Sequence, residues 1–137
     1  MPRVLCIEDN TDNRMLIRRI LMASDTEFTV LEADNAADGI KAALDEVPDI
    51  ILMDISMPGM DGLTATRHLR SIDKVKHIPI VALTANAMEG DKEKSLAAGC
   101  DGYIPKPIDV DRIEADILQF IRSYDERGAK HQPTHAD

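Results

Sequence analysis

Cysteine is scarce in this 137-residue chain, which has only Cys6 and Cys100. They are far apart and make no CxxC motif, which excludes a thiolate metal set and gives no sign of a disulfide framework. Cys6 reads as a small core residue inside an apolar run, and Cys100 follows Gly99 at a helix-to-strand turn. No apolar stretch reaches the roughly 20 residues of a membrane span. The N-terminal run meets Glu8 and Asp9 too early for a signal peptide. These absences point to a cytoplasmic protein without membrane insertion. Basic charge is also in deficit: 16 Lys plus Arg face 25 acids, a formal net charge of −9. Direct nucleic-acid binding, which needs a basic footprint, is therefore not expected. The glycines are spread over turns, so neither a P-loop nor a dinucleotide-binding loop is present. A serine-hydrolase reading lacks both a nucleophile elbow and a placed histidine. His68, His77, His131 and His135 fall in helices, a loop or the C-terminal segment and read as surface groups.

What remains is a rhythm of short apolar runs alternating with longer amphipathic ones. Strands are expected over Arg3–Glu8, Phe28–Ala33, Asp49–Asp54, Ile78–Leu83 and Asp101–Ile104. Helices are expected over Thr11–Ser24, Ala36–Glu46, Leu63–Ser71, Glu89–Ala98 and Val110–Tyr124. Pro48 marks the end of the second helix, Gly99 suits a helix C-terminus, and Asp109 suits an N-cap. Strands alternating with helices, without hairpin signals, mean βα units with right-handed crossovers and hence a parallel sheet. The fold class is α/β, doubly wound, in one domain over 1–124 with a loose C-terminal tail over 125–137.

Asp54 closes the near-continuous apolar run Asp49-Ile50-Ile51-Leu52-Met53-Asp54, just before the turn Met57-Pro58-Gly59. A buried parallel strand thus delivers a carboxylate to the sheet edge where open α/β folds place their ligands. Glu8 and Asp9 end the first strand, Thr84 the fourth, and Lys106 follows the fifth. All these loops share one edge of a parallel sheet. Clustered acids repel unless a cation sits among them, and Mg²⁺ favours such oxygen ligands. Asp9 and Asp54 would each give an oxygen, Glu8 would bind directly or through water, and the Ser56 carbonyl would add one more. Asp54 would be the nucleophile toward phosphorus, Lys106 a point charge on the phosphoryl oxygens, and Thr84 a short hydroxyl donor whose engagement requires the backbone to move.

Each element has a plainer reading. Glu8-Asp9-Asn10 alone is a helix-capping run, Lys106 alone a surface lysine, and Thr84-Ala85-Asn86 a turn and cap. Asp49 and Asp61 read as ordinary turn residues. Met53, Met57 and Met60 read as packing around the Asp54 loop, and Arg18-Arg19 as a solvated helix face.

These motifs together resemble the receiver domains of two-component response regulators. The resemblance rests on Glu8-Asp9-Asn10, on Leu52-Met53-Asp54 through Asp61-Gly62, on Leu83-Thr84-Ala85 and on Lys106-Pro107, and covers about Arg3 to Tyr124. Leu83-Thr84-Ala85-Asn86-Ala87-Met88 is most similar to stand-alone DivK-like regulators and the receivers of hybrid kinases. The resemblance implies a flavodoxin-like (βα)5 sheet of order 2-1-3-4-5 and a cis Lys106–Pro107 bond. It implies Mg²⁺, with Mn²⁺ as a substitute, at Glu8, Asp9, Asp54 and Ser56. It implies phosphorylation of Asp54 by a sensor histidine kinase or a histidine phosphotransfer protein, with Thr84, Lys106 and the switch aromatic Tyr103 responding to it. Read without the resemblance, Tyr103 is equally an edge-strand packing residue. The resemblance makes the fourth helix, fifth strand and fifth helix the signalling face. It makes the first helix, with Met15 and Ile17 as contact candidates, the docking face for a phosphodonor. Ser56 and Asn86, both small and polar, predict a phosphoryl group open to water.

No DNA-binding or catalytic output segment follows within the chain, so output is expected through a downstream protein effector or onward relay, and homodimerisation is left open. Such a protein would take part in its own phosphorylation and dephosphorylation without an external turnover substrate. Two other classes compete. A receiver-like interaction module that is never phosphorylated would keep the acids only structurally. A haloacid-dehalogenase-like phosphatase would need a second Asp two positions after the nucleophile, where this chain has Ser56.

Overall fold

The structure, a computed structural model, describes residues 2–123. Tyr124, His131, His135 and the expected tail over 125–137 lie outside the described residues. Five strands form one parallel sheet of order β2-β1-β3-β4-β5. They are β1 (Arg3–Ile7), β2 (Thr29–Ala33), β3 (Ile50–Asp54), β4 (Ile80–Thr84) and β5 (Gly102–Pro105). The helices are α1 (Thr11–Met22), α2 (Ala36–Glu46), α3 (Gly62–Arg70), α4 (Asp91–Ala98) and α5, whose described part is 113–123.

Alternation along the strands sorts the core into two layers. Leu5, Ile7, Ile51, Met53, Ile80 and Ala82 face the layer packed by residues of α2 and α3. Val4, Cys6, Ile50, Leu52, Val81 and Leu83 face the opposite layer, filled by Ile17 and Leu21 of α1 and Ile113 and Ile117 of α5. Every residue of β3 and β4 is buried, which explains why these runs are apolar without alternation. Each large aliphatic side chain buried here contributes about 1.5–3 kcal/mol. Among the described residues no helix is long and apolar enough to cross a membrane.

Local chemistry sets the helix ends. Asn10 caps α1 by accepting from the Asn13 amide at 2.9 Å, Asn35 caps α2 through Asp38 at 2.8 Å, and Asp61 caps α3 through Thr64 at 2.8 Å. Gly99 ends α4 at φ +113, a conformation that suits glycine.

Two helices start two or more residues later than expected. The segment expected as one helix from Glu89 is a 3-10 turn over Ala87–Glu89, then Gly90 at φ +96, and only then α4. The last helix starts at 113 rather than at Val110, because the Asp109 side chain closes a turn onto the Asp111 amide at 3.0 Å. Val110 is consequently exposed rather than part of the apolar stripe. The second helix runs over Ala36–Glu46 as expected and is closed by Val47, in the left-handed region at φ +44. The Lys106–Pro107 peptide is cis.

Candidate functional site

Register brings the distant acids together. Ile7 pairs with Met53 across β1 and β3, so Glu8 emerges level with Asp54. Asp54 pairs with Leu83 and Thr84 with Pro105, so Thr84 and Lys106 emerge beside it. The Lys106 amide then donates to the Thr84 carbonyl at 2.7 Å, extending the β4–β5 ladder into the lysine loop. Gly62 backs the same strand end: any Cβ there would collide with the Asp54 carbonyl. This close approach of α3 explains a glycine directly after its N-cap.

Carboxylate oxygens of Glu8, Asp9 and Asp54 lie within 4.8 Å of one another. Glu8 is fully buried and Asp54 is 1 % exposed, whereas Asp9 is open to solvent. Lys106 Nζ lies 2.8 Å from Glu8 Oε1 and 3.2 Å from Asp54 Oδ1. Glu8 Oε2 also accepts from the Asn10 amide at 3.1 Å, while Arg14 donates to the Glu8 carbonyl at 2.9 Å. Asp54 Oδ1 accepts from the Ser56 amide at 3.0 Å. Its other oxygen, Oδ2, is buried without a hydrogen-bond partner among the described residues.

The electrostatics follow from this crowding. Burial raises the Asp54 carboxyl above the ordinary carboxylate range, and its contact with Glu8 adds to the rise. Burial works against the Lys106 charge, but Glu8 and Asp54 outweigh it, so the ammonium is held above its usual value. One ammonium therefore partly neutralises three neighbouring acids. A buried, unpartnered oxygen ringed by carboxylates is the donor set of a hard divalent cation. The residues present fit Mg²⁺.

Thr84 is buried at the mouth of this cluster, and its hydroxyl donates to Asp91 Oδ2 at 2.9 Å while accepting from the Asn86 amide at 3.0 Å. Tyr103 packs half-buried against the core, with Lys92 Nζ 5.6 Å from its ring centre. The site's surroundings meet the expectations unevenly. Ser56 and Asn86 are exposed beside Asp54 and Thr84. Met53 and Met57 are buried packing, but Met60 is exposed. Ile17 is fully buried in the core and is unavailable to a docking partner, because it lies on the sheet-facing side of α1, whereas Met15 is exposed. His68 and His77 are exposed, away from the acids. Sequence reasoning missed Asp91. It stood inside an expected helix, and only the Gly90 break, which makes it the first residue of α4, would have singled it out.

The response regulator receiver domain family matches residues 4–118. The polar-differentiation response regulator DivK of Brucella anthropi is 40 % identical over 125 residues, covering 90 % of this chain and 97 % of that protein. Among solved structures, the receiver domain of sensor histidine kinase PA1611 from Pseudomonas aeruginosa is 32 % identical. It has a TM-score of 0.80, covers 88 % of this chain and 97 % of that one, and holds a magnesium ion in its active-site cleft. CheY4 of Vibrio cholerae, at 24 % identity and TM-score 0.81 over 88 % of this chain and 98 % of its own, shares the fold.

Proposed function

The chain belongs to the response regulator receiver domain family, and from that premise we propose that it is a Mg²⁺-dependent phosphoacceptor of a two-component system or phosphorelay, phosphorylated on Asp54. The observation that carries this reading is the buried, unpartnered Asp54 Oδ2, set among Glu8, Asp9 and Lys106 at the end of the central strand.

The donor is a phosphohistidine on a sensor kinase or a phosphotransfer protein. A lone pair of the Asp54 carboxylate attacks phosphorus in line with the leaving imidazole. The P–N bond breaks, its electron pair stays on the imidazole nitrogen, and an aspartyl phosphate remains. Positioning and charge do most of the work in such transfers. Strand β3 and Gly62 fix the Asp54 backbone, and the Ser56 amide holds Oδ1. The Lys106 ammonium, 2.8 Å from Glu8 and 3.2 Å from Asp54, has three protons and would offer one to a phosphoryl oxygen. Glu8, Asp9, Asp54 and the Ser56 carbonyl would hold Mg²⁺, which when bound neutralises charge on the transferred group. Thr84 offers its hydroxyl to the phosphoryl group once that hydroxyl is released, and Tyr103 reports the change at the surface. Output passes through contacts with a protein effector or through onward transfer of the phosphoryl group.

The test is transfer from a radiolabelled phosphohistidine donor. Label is expected on the wild type in Mg²⁺ and on neither the Asp54→Asn variant nor the chelated protein. Binding to a partner that is indifferent to Mg²⁺ and to Asp54, with no transfer of label, would favour the unphosphorylated interaction module instead.

A further inference from the structure

We propose that Asp91 is a positioning residue that withholds the Thr84 hydroxyl from Asp54, competing with a phosphoryl oxygen for the hydroxyl's single proton. The inference rests on the phosphoacceptor reading and concerns what holds that site in its resting state.

A threonine hydroxyl has one proton to donate. Here it goes to Asp91 Oδ2 at 2.9 Å, while a lone pair of the same oxygen accepts from the Asn86 amide at 3.0 Å. The hydroxyl is therefore occupied on both sides, and Asp54 Oδ2 stays without a donor. A carboxylate acceptor makes this bond stronger than one between neutral groups. Asp91 is the first residue of α4, where the helix dipole favours its negative charge. For Thr84 to reach a phosphoryl group on Asp54, the bond to Asp91 must break, so the two engagements exclude each other.

The consequence reaches beyond Thr84 because Asp91 belongs to a helix held differently at its two ends. At the C-terminal end, Arg70 of α3 donates to the Gly99 carbonyl at 2.8 Å and pairs with Asp101 at 2.7 Å. At the N-terminal end, the Thr84–Asp91 bond ties the first turn to β4. Releasing that bond frees the first turn while Arg70 keeps the far end pinned. Lys92, the next residue, lies over the Tyr103 ring at 5.6 Å. The path from Asp54 to Tyr103 thus runs through the first turn of α4.

The experiment titrates the full-length chain with beryllofluoride, a tetrahedral phosphoryl mimic, at fixed Mg²⁺. Wild type is compared with Asp91→Ala, Asp91→Asn, Thr84→Val and the Thr84→Val/Asp91→Ala double variant, with thermal melts to confirm folding. Removing one competing hydrogen bond should tighten beryllofluoride binding about fivefold in Asp91→Ala. Asp91→Asn keeps a neutral acceptor and should fall between that variant and wild type, so it carries the test if Asp91→Ala fails to fold. In the Thr84→Val background the Asp91→Ala change should have no effect, which a merely structural role at the helix start would not produce. Binding that is unchanged or weaker in both Asp91 variants overturns the proposal, as does tightening that persists without the Thr84 hydroxyl. Wild type that takes no beryllofluoride in Mg²⁺ would overturn the phosphoacceptor reading itself and this inference with it. A failure confined to Asp91 would leave wild-type binding intact.

Discussion

The ammonium of Lys106 lies 2.8 Å from the fully buried carboxylate of Glu8. This ion pair gives Lys106 a structural duty in the resting protein, beside the role proposed for it toward a phosphoryl group. Breaking a buried pair from one side leaves a charge without compensation. Lys106→Ala should therefore lower the unfolding free energy of the metal-free protein by about 3 kcal/mol, read as a lower urea midpoint at unchanged slope. Saturating Mg²⁺ should restore part of the loss, because the cation takes over the neutralisation of Glu8. An unchanged midpoint would mean that Glu8 does not depend on the lysine.

Asp54 has the opposite relation to stability. Burial, then Glu8, raises its carboxyl above the ordinary range. A raised carboxyl contributes stability in its protonated form, which is fully present below the unfolded value and lost as pH rises through the folded value. At neutral pH the metal-free fold has lost that contribution. Asp54→Asn, which cannot ionise, should melt higher than wild type in chelator at pH 7, with the gap closing as pH falls toward about 4. Mg²⁺ at a hundredfold its Kd should stabilise wild type by about 2.7 kcal/mol, and Asp54→Asn by clearly less. A lower melting temperature for Asp54→Asn in chelator would contradict the assigned electrostatics.

The thiols offer a check on packing alone. Burial pushes the Cys6 thiol up to about 12, with Glu8 adding to the rise, and burial likewise raises Cys100. The thiolate is the reactive form. Neither cysteine should react with a disulfide reagent at pH 8 in the folded protein, and both should react at once in denaturant. Fast reaction of one thiol under native conditions would show that its layer of the core opens.

Much of this was legible in the chain because strand periodicity and strand-end chemistry reinforce each other. Five apolar runs marked all five strands, and at or just past the ends of four of them stand Glu8, Asp9, Asp54, Thr84 and Lys106, which the parallel sheet brings to one edge. The plainer readings were partly right as well. Asn10 does cap α1 and Asn86 does close a turn onto Thr84, whereas Asp61, read only as a turn residue, caps α3. What sequence could not supply was direction. Ile17 and Met15 sit two positions apart on α1, yet one is core and the other exposed, and the helical period alone does not say where the sheet lies. The start of α4 was hidden because Gly90 was read within a helix rather than as the break that makes Asp91 its first residue. Val47 at φ +44 was invisible because a β-branched residue before proline is disfavoured there.

The central claim is that Asp54 is esterified by phosphate in a cation-dependent pocket. The most direct measurement is the intact mass of the protein after incubation with acetyl phosphate and Mg²⁺, followed by mapping of the modified peptide. The account predicts a gain of one phosphoryl group on the peptide containing Asp54, absent in Asp54→Asn and absent in chelator. A wild-type protein that gains no mass, or an Asp54→Asn protein that gains it equally, would contradict it.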